Sequence, residues 1–234
     1  MRERLAWPEA ALHPVADGID AFEAALAEPL SVAIHAADLA VMHPGTAVGV
    51  MGCGPIGIML VALARLAGAD RVVAVDVLSH RLACAEAFGA TDLVRADAEP
   101  GPSFEHDRAG GLDVVFEVAG EQAAVDAAVA AARPGGTVVL VGIPGDDRTS
   151  FRASVARRKG LALRLARRAP PDAFERAVAM VNDRTLDLGR LVTMRVPLED
   201  ATRAFDSLVR RDGVKVVVEP ARRTASDRGG PGHA

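Results

Sequence analysis

From Thr46 onward, short runs of β-branched and other apolar residues alternate with longer stretches whose apolar positions recur at helical spacing. Six of the short runs, at 46–51, 71–75, 92–94, 112–116, 137–141 and 161–165, are bounded by glycine, aspartate or proline and predict strands. Between them, 55–67 predicts a helix with Pro55 in its first turn and Gly68 just past its end. Ser79 is placed to cap a second helix that Gly89 ends, and 121–132 predicts a third, ahead of a turn at Arg133-Pro134-Gly135-Gly136. The 55–67 helix is apolar nearly all round, as expected of one covered on both sides. Strand and helix in alternation predict an α/β fold, a doubly wound parallel sheet of about six strands with helices on both faces. Past residue 165 the rhythm changes to helix 171–182, strand 191–196, helix 198–210 and strand 214–218, which reads as a separate packing unit. Residues 221–234 lack apolar periodicity and are expected to form a disordered tail.

With 234 residues, half of them hydrophobic, the chain can bury one substantial core and part of a second. A formal charge of -4 gives no field that would draw in nucleic acid or an anionic membrane, so neither partner is expected. The basic run Arg157, Arg158, Lys159, Arg164, Arg167 and Arg168 has no interleaved aromatics and reads as a solvated face. The apolar stretch 56–67 is broken by Arg65 and falls short of the roughly 20 residues of a membrane span. Nothing near Met1 reads as a secretory signal, so a cytoplasmic location is expected. Cys53 and Cys84 form no CxxC knuckle, and none of the six histidines pairs at ligand spacing, so no self-contained zinc site is written here. His35 and His43 accordingly read as structural or surface residues.

Gly52-Cys53-Gly54-Pro55-Ile56-Gly57 matches G-x-G-x-x-G, a weak signal alone. Its context strengthens it: a strand precedes it, a helix starts inside it, and Asp76 ends the next strand 19 residues after Gly57. Gly52 allows the tight exit from the strand, Gly54 lets backbone approach a pyrophosphate, and Gly57 permits close helix packing. The helix start at Pro55 and Ile56 presents free N–H groups to phosphate. Asp76 can accept hydrogen bonds from both ribose hydroxyls and repel a 2'-phosphate, which favours NAD over NADP. Short-chain dehydrogenases need a catalytic tyrosine, and the chain has none. Methyltransferases also place a glycine-rich turn and an acidic residue here and remain open, although the third glycine, Gly57, favours a two-phosphate ligand.

Several linked segments resemble the zinc-type medium-chain dehydrogenase/reductases, in particular the sorbitol, polyol and threonine dehydrogenases. These are 28–36 as a hinge helix, 50–57 as the phosphate loop, 116–120 (Phe-Glu-Val-Ala-Gly) and 139–144 (Val-Leu-Val-Gly-Ile-Pro). The resemblance implies that Val141, Gly142 and Ile143 lie beneath the nicotinamide, that Val118 and Gly120 lie near the adenosine, and that Arg81 stands near the adenine ribose. It also implies that Glu28 stands beside a catalytic zinc, as one ligand among several. The other zinc ligands belong to an amino-terminal GroES-like catalytic domain, of which both chain ends look like remnants, 1–8 resembling a late strand. The layout expected is 1–32 remnant and hinge, 33–165 NAD-binding Rossmann domain, 166–220 a segment returning to the catalytic side, and 221–234 tail. The family's Arg-Tyr pair appears here as Arg164-Leu165, and the histidine often preceding Arg195 is Met194. The function implied is hydride transfer between a secondary alcohol of a small polyol and NAD, in a shortened and impaired chain expected to self-associate. The alternative is a catalytically silent NAD-binding module or subunit-interaction protein.

Overall fold

In a computed structural model, residues 5–97 and 110–220 are described. The expected tail and residues 1–4 lie outside them. Six parallel strands, β1 (Ala47–Met51), β2 (Arg71–Asp76), β3 (Asp92–Arg95), β4 (Leu112–Glu117), β5 (Ala132–Leu140) and β6 (Ala162–Leu165), form one sheet in the order β3-β2-β1-β4-β5-β6. The order reverses between β1 and β4, where Val48 pairs with Val72 on one side and Val114 on the other. A crevice opens at such a switch point, outside the carboxyl ends of the strands.

Both faces of the sheet are covered, which is why its strands read as nearly continuous apolar runs. Val48, Val50, Val72, Ala74, Val114, Phe116 and Val139 pack on one side under α2 (Ala27–Ala40), α3 (Pro55–Leu66), α4 (Ser79–Ala87) and α7 (Pro171–Asn182). Val73, Val75, Val115 and Val138 face α5 (Gln122–Ala131) on the other. The all-round apolar character of α3 follows from its place between the sheet and α2. A short α1 (Ala21–Ala24) leads into α2, and an Arg176–Asp38 pair with contacts of 2.7 and 3.1 Å ties α7 to α2.

Local expectations fail where a distant contact decides. Ser79 is the first residue of α4, not its cap, and its hydroxyl accepts from Arg95 Nη1 at 2.6 Å. The cap position falls to Leu78, whose N–H donates to the Asp76 carboxylate at 2.8 Å. The Arg133-Pro134-Gly135-Gly136 stretch lies inside β5 as a bulge, because Ala132 already pairs with Leu112 before Thr137 pairs with Val114. A short α6 (Ala153–Lys159) was not foreseen from the apolar pattern. Lys159, read as part of a solvated basic face, instead donates Nζ to the carbonyls of Ala130 (2.6 Å) and Ala132 (2.7 Å) at the end of α5.

The carboxy-terminal unit is a parallel pair, β7 (Val192–Pro197) and β8 (Lys215–Glu219), joined by a 3-10 turn and α8 (Ala201–Arg210), where one continuous helix was expected. It docks on α4 through Arg190, which donates to the Ala87 carbonyl at 3.3 Å and lies over the Phe88 ring. Leu5 to Pro8 carry no strand. No helix among the described residues is long and apolar enough to cross a membrane.

Candidate dinucleotide site

The carboxyl ends of β1, β2, β4 and β5 are stitched together by backbone. Gly52 N–H donates to the Val75 carbonyl and Val118 N–H to that of Met51, both at 2.8 Å, and Val141 N–H donates to the Glu117 carbonyl at 2.8 Å. Three segments, 52–57, 118–120 and 141–143, are thereby brought side by side at the switch point. Gly52 has a φ of +105°, and a Cβ there would meet the Ala119 nitrogen at 2.9 Å, so both the turn and the close approach require glycine. A Cβ on Gly57 would collide with the Gly52 carbonyl oxygen, whereas one on Gly54 would meet nothing within 4 Å. Gly57 is therefore needed for packing, and Gly54 leaves open space in front of the α3 amino terminus. No side chain caps that terminus, and the first-turn N–H groups of Ile56 and Gly57 have no intrahelical acceptor. An uncapped amino terminus facing open space suits an anion such as a pyrophosphate.

Asp76 is 8 % exposed and already engaged. Its Oδ2 accepts from Cys53 N–H at 2.7 Å and its Oδ1 from Leu78 N–H at 2.8 Å, leaving the remaining lone pairs for a ribose. The carboxylate therefore also holds the glycine-rich turn to the end of β2. Arg81 turns away toward the carboxy-terminal unit: Nη2 donates to the Gly213 carbonyl at 3.5 Å, and Nε is buried without a hydrogen-bond partner. Ile143 is 90 % exposed, while Val118, Gly120, Val141 and Gly142 are half-buried.

Two residues absent from the sequence-level site belong to it structurally. The Cys53 thiol is fully buried and donates to the Val75 carbonyl, and burial, with the Asp76 charge adding, pushes its pKa up to about 12. At pH 8 the folded protein should therefore be alkylated by iodoacetamide at half-buried Cys84 well before Cys53, followed by mass spectrometry. Equal rates at the two thiols would contradict this. Glu117, at the end of β4, is 1 % exposed. Burial raises its pKa, against the lowering effect of the amides of Gly120, Ala119, Gly142 and Glu121. A carboxylate closing a strand three residues before a glycine was the available signal.

Glu28 is exposed in the first turn of α2, and no group of three or more His, Cys, Asp or Glu among the described residues is arranged to hold a metal ion. These residues do not fit a catalytic zinc.

A family model described as zinc-binding dehydrogenase matches residues 55–183. D-xylulose reductase of Saccharomyces cerevisiae is 34 % identical over 216 residues, covering 89 % of this chain and 60 % of that protein. Sorbitol dehydrogenase 1 of the same yeast is 34 % identical over 226 residues, covering 90 % and 62 %. Among solved structures, L-idonate 5-dehydrogenase of Escherichia coli superposes with a TM-score of 0.80 at 29 % identity, over 88 % of this chain and 59 % of that one. A zinc-binding dehydrogenase of Sinorhizobium meliloti bound to NADP superposes at 0.79 and 29 % identity, over 88 % and 61 %. The chain thus spans about three-fifths of the length of the curated relatives it matches. It belongs to the zinc-binding dehydrogenase family.

Proposed function

We propose that this chain is the nucleotide-binding part of an NAD-dependent alcohol or polyol dehydrogenase, with the dinucleotide lying across the carboxyl ends of β1 and β4. The observation that carries this reading is the uncapped α3 terminus behind Gly54, with Gly57 packed on Gly52 and an acidic residue at the end of β2. The N–H groups of Ile56 and Gly57 bind the pyrophosphate, with Pro55 setting the helix start. Asp76 accepts from the adenosine ribose, and Val118 and Gly120 border the adenosine half. The backbone of Val141, Gly142 and Ile143 holds the nicotinamide carboxamide. NAD, when bound, accepts a hydride from the alcohol carbon. The names of the relatives favour a small polyol or related secondary alcohol as substrate.

Residues 33–165 form the nucleotide-binding unit in this reading, with 1–32 and 166–220 the parts that belong beside a catalytic domain. Because the described residues supply no zinc site, no step is assigned to Glu28 or to zinc, which favours a nucleotide-binding module as the second reading. Titrating the chain into NADH and displacing the bound NADH with AMP tests the proposal. Saturable one-to-one binding with competition is expected, and no saturable binding would overturn it.

Self-association is part of the same reading. Leu5, Trp7 and Leu12 near one end and Phe205, Leu208 and Val209 on α8 are exposed, and apolar side chains grouped on a surface commonly mark association. Phe22, Leu26, Leu191 and Val196, by contrast, are buried within the chain. Light scattering should give a mass above 24.3 kDa, whereas a monodisperse monomer at tens of micromolar would contradict this.

A further inference from the structure

We propose that Arg164, Arg167 and Arg168, at the carboxyl end of β6, form an oxyanion-binding surface beside the nicotinamide segment, so that the alcohol acted on carries a carboxylate or a phosphate. This rests on the dinucleotide reading above and narrows its substrate class. Residues 148–171 hold seven arginines and one lysine and no aspartate or glutamate, in a chain whose formal net charge is -4. Lys159 is held by carbonyls at the end of α5. Arg164, Arg167 and Arg168 are exposed, and among the described residues none of the three has a hydrogen bond or ion pair. Like charges gathered without acids repel one another, and an anion placed among them relieves that cost.

Strand register sets where these cations stand. Arg164 pairs with Val139 and Leu165 with Leu140, and Ala166 N–H donates to the Leu140 carbonyl at 2.9 Å. The two chains therefore leave the sheet side by side, 141–143 from β5 and 166–168 from β6. Side chains alternate along a strand, and Leu163 packs on the α5 side, so Arg164 faces the side on which Val139 and Val141 pack. That is also the face covered by α3, whose free amino terminus is assigned the pyrophosphate. Glu121, Asp146 and Asp147 line a crevice with Leu165 on the α5 side, so they do not neutralise Arg164 across the sheet. The alcohol carbon that gives up hydride lies beside the nicotinamide, within the field of these guanidinium groups. Their planar donors match the paired oxygens of a carboxylate or phosphate, a match that a neutral hydroxyl does not offer.

Sorbitol, gluconate and sorbitol 6-phosphate share a carbon skeleton and differ in carrying no charge, a carboxylate or a phosphate. Calorimetric titration of each into the full chain saturated with NAD tests the proposal. At least one of the two anions should bind about tenfold or more tighter than sorbitol, the worth of a charge-assisted hydrogen bond. Which anion it is distinguishes carboxylate from phosphate. Arg164→Gln alone, and Arg167→Gln combined with Arg168→Gln, should each remove most of that preference. NADH affinity should stay within about twofold of the wild type in both variants, which also shows that they fold. Sorbitol bound as tightly as both anions, a preference that survives both sets of substitutions, or no binding of any of the three would overturn the proposal while leaving the dinucleotide site in place. Wild-type protein that does not bind NADH would overturn the dinucleotide reading itself, and the proposal with it.

Discussion

Replacing Gly57 by alanine is expected to lower stability by about 1–3 kcal/mol and to remove measurable NADH binding, because the new methyl must push the α3 terminus off the Gly52 carbonyl. Backbone is the obstacle, so no rotamer change relieves the collision. Gly54→Ala separates packing from binding, since its Cβ meets nothing within 4 Å and leaves the fold undisturbed. Its melting temperature should match the wild type while NADH binding weakens, the methyl standing in the space reserved for the pyrophosphate. Thermal melts and NADH titrations on the two variants check both statements. A Gly57→Ala protein that binds NADH as the wild type does would contradict the account of the cradle.

Much of this architecture was legible from the chain alone. A period-2 strand buried on both faces becomes a plain apolar run, and Val72 to Val75 or Val114 to Phe116 show it directly. The helix predicted over 171–182 has the same bounds in the structure, with proline in its first turn. What escaped depends on partners remote in sequence or on backbone direction. Ser79 looked like a cap, but the Asp76 carboxylate reaches Leu78 first. Lys159 looked like one more solvated cation, yet it satisfies carbonyls some 30 residues away at the end of α5. Arg81 was expected at the ribose, and its guanidinium reaches instead for Gly213, in a unit whose docking no local pattern encodes. Within the site, the glycines were readable because each has one steric reason to be there. Glu117 was visible only as a letter in a familiar segment, because its role comes from two turns meeting around it.

The second large effect concerns Asp76. Asp76→Ala should weaken NADH about tenfold or more and narrow the preference over NADPH, because the variant no longer repels a 2'-phosphate. The structure adds a cost that the sequence did not announce. The buried Cys53 N–H loses its acceptor, worth about 1–3 kcal/mol when left unsatisfied, and the part-buried Leu78 N–H loses its own at a smaller cost. Stability should fall along with affinity. Asp76→Asn retains one acceptor oxygen and removes the charge, so it should lose less stability than the alanine variant while narrowing the coenzyme preference to a similar degree. If both variants keep the wild-type ratio of NADH to NADPH affinity, Asp76 does not set the preference.

If the carboxyl edge of this sheet is a dinucleotide site selective for NAD, calorimetric titration of the wild-type chain with NADH and NADPH will show it. One saturable site is expected, with NADH bound about tenfold or more tighter than NADPH, the unfavourable charge at Asp76 amounting to about 1.4 kcal/mol. Equal affinities for the two coenzymes, or no saturable binding of either, would contradict it.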